Sequence, residues 1–171
     1  MANGSFPAKR VFLMPVERVE GWDKVGFLQR SVRSAMTALE RDARLLLLGI
    51  LAEIEQFAEI SDEVFGTGHS FLVGMCRFGV PFAPAAWVGK PLTSARRMSF
   101  SRAARRLASN GQVIRVTDRS RDHVRYLVPT PSGLERAFQF AGHQADRQAV
   151  QEGLQRTRWG RPLAKHLGGQ A

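Results

Sequence analysis

Ser99-Phe100-Ser101-Arg102-Ala103-Ala104-Arg105-Arg106-Leu107-Ala108-Ser109-Asn110-Gly111-Gln112-Val113-Ile114-Arg115-Val116, followed after a short turn by Val124-Arg125-Tyr126-Leu127-Val128-Pro129-Thr130-Pro131-Ser132-Gly133, decides how this chain is read. At about 100° per residue, Phe100, Ala103, Ala104 and Leu107 gather on one side of a helix. Arg102, Arg105, Arg106 and Ser109 gather on the other. Asn110-Gly111 is a strong C-terminal stop. The helix is therefore expected from Ser99 or Phe100 to Ser109, after a short helix capped by Thr93 or Ser94. Val113–Thr117 and His123–Val128 have strand propensity, and the polar run Asp118–Asp122 joins them as a hairpin. Thr130 suits an N-cap and Pro131 a first helical position. The helix they start is expected to continue past Phe138 to about Gln155.

Working outward, a long helix is expected from about Ser31, a plausible N-cap, to Glu59. Val32, Met36, Leu39, Ala43, Leu46, Ile50, Ile54 and Phe57 recur at spacings of four and three. Such a stripe serves a core, and its spacing also suits a seam with a second copy. Between residues 61 and 92, Phe71–Phe78 reads as a short helix, and Pro81, Pro84, Gly89 and Pro91 break anything longer. The expected organisation is an N-terminal arm over residues 1–29, a main domain over 30–140, and a C-terminal helix and tail over 141–171. The glycines and Pro162 beyond Arg158 predict a loose tail.

The 171 residues carry 25 Lys and Arg against 15 Asp and Glu, a formal net charge of +10. The placement is more informative than the total. Ten basic residues lie between Lys90 and Arg125, opposed only by Asp118 and Asp122, a local +8. From Glu40 to Glu63 the balance is −5. A basic segment polarised in this way points to a polyanionic partner. One cysteine, Cys76, excludes an intramolecular disulfide framework and a multi-cysteine zinc site. No secretory h-region follows Lys9-Arg10, and no apolar run approaches the roughly 20 residues of a membrane span. A soluble cytoplasmic protein without membrane contact is expected.

Helix, helix, two-stranded hairpin, helix is the order of a winged helix-turn-helix. The two quoted stretches resemble the recognition helix, wing and Thr-Pro-x-Gly helix start of regulators of the MarR and PadR types. The match spans about residues 92–140. The expected fold is mainly α with a small β-hairpin, a winged helix-turn-helix with flanking helices. The resemblance implies sequence-specific binding of double-stranded DNA and transcriptional regulation, usually as a homodimer. The expected contact residues are Arg96, Arg97, Ser99, Ser101, Arg102, Arg105, Arg106 and Ser109 on the helix. Arg119, Arg121 and Arg125 are those of the wing. Arg102 and Arg105 are expected nearest base edges, with Arg106 further round on phosphate or an intramolecular partner.

Catalytic patterns are missing from the reading. His69, His123, His143 and His166 are scattered without ligand spacing. Gly66-Thr67-Gly68 lacks the lysine of a phosphate loop. Glu53, Glu55, Asp62 and Glu63 read as a solvated acidic face, and Cys76 as a small core residue. No enzyme activity, metal or cofactor is expected, and nothing in the sequence identifies a small-molecule effector. The rival expectation is a winged helix used for protein contacts in a replication, partition or mobile-element assembly.

Overall fold

The computed structural model describes residues 37–119 and 121–169. The arm over residues 1–29, the proposed cap Ser31, and Val32 and Met36 of the stripe lie outside the described residues. The described part is mainly helical with a small three-stranded antiparallel sheet. No helix among the described residues is long and apolar enough to cross a membrane.

Helix α1 spans Ala38–Ala58. Thr37 caps it with a reciprocal capping box: its hydroxyl accepts from the Glu40 amide, and the Glu40 carboxylate accepts from the Thr37 amide. Leu45 to Ala52 are buried without interruption. A helix that is apolar on every side must be enclosed on every side, and α1 is the axis of the molecule. From Leu46 to Phe57 the stripe offered above as a pairing seam is core within this chain, since Leu46, Ile50, Ile54 and Phe57 are at most 1% exposed, and Leu39 and Ala43 are half-buried against that core.

Around α1 the chain runs through α2 (Asp62–Phe65), α3 (Ser70–Phe78), β1 (Val80–Pro81), α4 (Pro84–Val88) and α5 (Ser94–Ser109). It continues through β2 (Val113–Asp118), β3 (Arg121–Pro129) and α6 (Pro131–Ala141), then a 3-10 turn, α7 (Arg147–Gln155) and α8 (Arg161–Gly168). α1 packs against α4, α5, α6 and α7, and against the sheet. The sheet order is β1-β3-β2, with Val80 opposite Leu127 and Val113 opposite Pro129.

Several expectations are corrected. α5 is one helix from Ser94, capped by Thr93, because nothing between Thr93 and Phe100 interrupts the ladder. The proline-containing stretch supplies a third strand, β1, so the hairpin is part of a larger sheet. The helix starting at Pro131 ends at Ala141, where Gly142 turns to φ 60°. Asp146 then caps a separate helix by accepting from the amides of Gln148 and Ala149. The residues after Arg158 form α8, whose Leu163 and Ala164 join the same core as Val150 and Leu154 of α7. The expected loose tail is thus part of the body through residue 169. Trp159 reinforces this by donating its indole N–H to the Met75 carbonyl at 2.7 Å.

The expected solvated acidic face is corrected at Glu53 and Glu55, while Asp62 and Glu63 are exposed as expected. Glu53 accepts from the Trp87 indole at 3.0 Å. Glu55 accepts from the Asp146 amide at 3.0 Å. Asp62 pairs with Arg156 at 3.1 Å, and that guanidinium also donates to the carbonyls of Phe57 and Ile60. These carboxylates and Arg156 tie α1 and its C-terminal loop to α4 and α7.

Gly49 makes the close approach of α4 possible. A Cβ there would lie 2.4 Å from the Trp87 ring, which is only 1% exposed and has nowhere to move. Gly49→Ala is expected to destabilise the protein by about 1–3 kcal/mol, as overpacking does, read as a lower thermal midpoint. A second expectation concerns acid. Hydrogen bonds from the Thr37 amide and hydroxyl hold the Glu40 carboxyl below its ordinary value, with a smaller contribution from the Arg106 charge. A carboxyl depressed in the folded state adds stability above its unfolded pKa, and that stability is lost as pH falls through the folded value. The stability difference between wild type and Glu40→Gln should be constant near neutrality and shrink on acidification below about pH 4.5. A difference that stays constant through that range would contradict the role given to the charge.

Candidate nucleic-acid interface

α5 has two faces because its sequence alternates them at helical spacing. Phe100, Ala103, Ala104 and Leu107 are buried and seat it against α1. The alanines let the two helices approach closely. Arg102, Arg105, Arg106 and Ser109 are exposed on the other side, and Arg97 is exposed at the flank of the seated face, three residues before Phe100. No acidic residue stands in the first turn of α5. The positive end of the helix dipole is therefore not opposed by a carboxylate of α5 itself.

Not every expected residue belongs to that face. Arg96 and Ser99 turn inward to Asp42, which is fully buried on α1. Arg96 Nη1 donates to Asp42 Oδ2 at 2.8 Å, and the Ser99 hydroxyl donates to the same oxygen. Arg96 Nη2 lies 2.6 Å from Oδ1, an ion-pair contact without hydrogen-bond alignment. The Arg96 guanidinium also sits 4.8 Å above the Phe100 ring. Arg96 and Ser99 therefore hold α5 on α1. Ser101 is half-buried, and the Ser109 hydroxyl donates to the Arg105 carbonyl. Arg106 is near enough to Glu40 to act on its ionisation.

The hairpin is tied to the end of α5 by the Thr-Pro-x-Gly turn. Gly111 takes φ 68° and leads the chain out of the helix. The Thr130 amide donates to the Gln112 carbonyl at 3.0 Å, and its hydroxyl donates to the Gly111 carbonyl at 2.6 Å. The same hydroxyl accepts from the Gly133 amide, capping α6. A Cβ on Gly133 would fall 1.8 Å from the Gln112 carbonyl oxygen, so only glycine fits. One short motif thus fixes helix α5, the base of the hairpin and the start of α6 relative to each other. Arg119 is exposed at the tip. The Arg121 side chain lies outside what is described. Arg125 is exposed and paired with Asp118 at 2.9 Å, which offsets part of its charge.

Two features were missed by sequence reasoning. Asp42 was one of several acids, yet it lies three residues after Leu39 and four before Leu46, on the apolar stripe. A carboxylate on such a stripe was a readable sign of a buried ion pair. Met98 stands on the exposed face of α5 at 55% exposure. Its sign was an apolar residue on a polar face. Among the described residues no group of three or more His, Cys, Asp or Glu side chains is placed to hold a metal.

Comparison of the chain with protein-family models, with curated proteins and with solved structures returns no match.

The Asp42–Arg96 pair predicts an asymmetric response to mutation. Arg96→Ala leaves the buried Asp42 carboxylate without its countercharge and with the Ser99 hydroxyl as its remaining described donor, and is expected to cost about 3–5 kcal/mol. Asp42→Asn leaves a guanidinium whose side chain is already 33% exposed and can rehydrate, so its cost should be smaller. Denaturant unfolding of both variants checks the order, and equal costs would contradict the burial argument.

Proposed function

We propose that this protein binds double-stranded DNA as a winged helix-turn-helix and acts as a sequence-specific transcriptional regulator. In this reading α3, β1, α4, α5 and the β2–β3 hairpin are the winged domain. α4 and α5 are the helix-turn-helix, α5 is the recognition helix and the hairpin is the wing. The observation that carries the reading is the outward face of α5: Arg102, Arg105 and Arg106 are exposed there, while the opposite face is seated in the core. The hairpin adds Arg119 at its tip. The pairing of β1 with β3 supports the same reading, because it places the strand before α4 beside the wing. Guanidinium groups serve both tasks such an interface needs, bidentate contact with guanine and contact with phosphate.

A second reading, a module for protein contacts, draws on the outer face of the sheet. Ile114 is 57% and Phe78 49% exposed. Phe78 lies 5.5 Å from Tyr126, centre to centre, and Ile114 and Val128 face each other across the strands. With the stripe buried from Leu46 to Phe57, this sheet face offers apolar area for a partner.

Binding of the full chain to duplex DNA at several salt concentrations tests the proposal. Affinity is expected to fall steeply with salt as bound phosphates release counterions. Arg102→Ala and Arg105→Ala should weaken a selected site more than random duplex, by about 1–3 kcal/mol for each lost bidentate contact. Arg119→Ala and Arg121→Ala should weaken all sequences alike and lower the salt slope by about one each. Absence of binding at low salt would sink the DNA reading and favour the second one.

A further inference from the structure

Met98 is the one large apolar side chain on the outward face of α5 among the exposed hydrophobic residues described. It takes no part in the core or in the half-buried shell around it. A lone exposed apolar residue on a mixed surface needs no explanation. This one interrupts a face of guanidinium and hydroxyl groups. Arg102 follows it by one turn on the same side and Arg105 by two turns. Ser94 and Ser101, on the neighbouring turns, are small and leave the thioether arm clear. Met98 also lies in the N-terminal half of α5, the part of a recognition helix that meets base edges.

We infer that Met98 is a specificity-determining residue that packs on the C5-methyl group of a thymine in the major groove, beside the base engaged by Arg102. The inference rests on the DNA reading above and adds to it the base that an apolar side chain can recognise. Thymine alone among the four DNA bases presents a methyl group in that groove. Four residues of helix rise about 6 Å, close to two base steps of about 3.4 Å. The thymine therefore belongs within about three base pairs of a guanine read by Arg102.

The test uses the full chain and a site it selects from a random duplex library. Each thymine of that site is replaced in turn by deoxyuridine, which lacks only the methyl group. At one position per bound copy, the replacement is expected to weaken the wild type about fourfold, the worth of one methyl-sized apolar group. Met98→Ala should show no loss at that position, and its thermal midpoint should match the wild type. Arg102→Ala should keep the deoxyuridine penalty while losing preference for the neighbouring guanine. Equal penalties in wild type and Met98→Ala at every position, or a selected site without thymine, overturn the inference and leave the DNA reading standing. Failure to recover any duplex at low salt overturns both.

Discussion

Complete enclosure of the middle of α1 is the constraint on which the rest of the structure depends. Eight consecutive residues, Leu45 to Ala52, are removed from water, and no single partner can cover a helix on all sides. α5 and α6 cover it from one part of the chain and α7 from another, with α4 and the sheet completing the shell. The C-terminal helices are therefore as much part of the core as the central ones. Gly49 and Trp87 show how tight this enclosure is: the indole ring lies where a methyl group would have to be.

Charge in this protein is divided between holding the fold and facing outward. Arg96 and Arg156 are drawn inward, to Asp42 and to the carbonyls at the end of α1. Arg44 and Arg147 lie over the rings of Phe140 and Phe138. The acids of α1 and the loop after it serve as partners for such groups and for backbone amides. With those contacts made, the outward side of α5 is left with arginines and one methionine. The basic character of the segment is thus concentrated on a face that the core itself fixes in orientation. The Thr130 hydroxyl, shared between Gly111 and Gly133, keeps the hairpin in register with that face.

Much of this was legible in the sequence because it depends on neighbours along the chain. The two faces of α5, its stop at Asn110-Gly111, the β2–β3 hairpin and the Thr130-Pro131 helix start follow from periodicity and from capping and turn chemistry within a few residues. The mainly helical class with a small sheet followed from the same signals. The break at Gly142 was missed because amphipathic spacing continues on both sides of it, and only the separate cap at Asp146 marks two helices. The strand at Val80–Pro81 was missed because two residues carry no period. Its partner, β3, lies more than 40 residues further on.

The sequence by itself determined which side of α5 is apolar and which is charged, since residues one turn apart share a face in any helix. Only the tertiary structure decided what holds Arg96, which stands one turn before Phe100 on the apolar side. Arg96 and Arg97 are adjacent and chemically identical, yet Arg96 is drawn to a buried carboxylate 54 residues away and Arg97 is exposed. That outcome depends on how α1 crosses α5. A guanidinium is drawn inward only where the crossing sets a desolvated carboxylate within reach, and no local pattern in the chain encodes that distance.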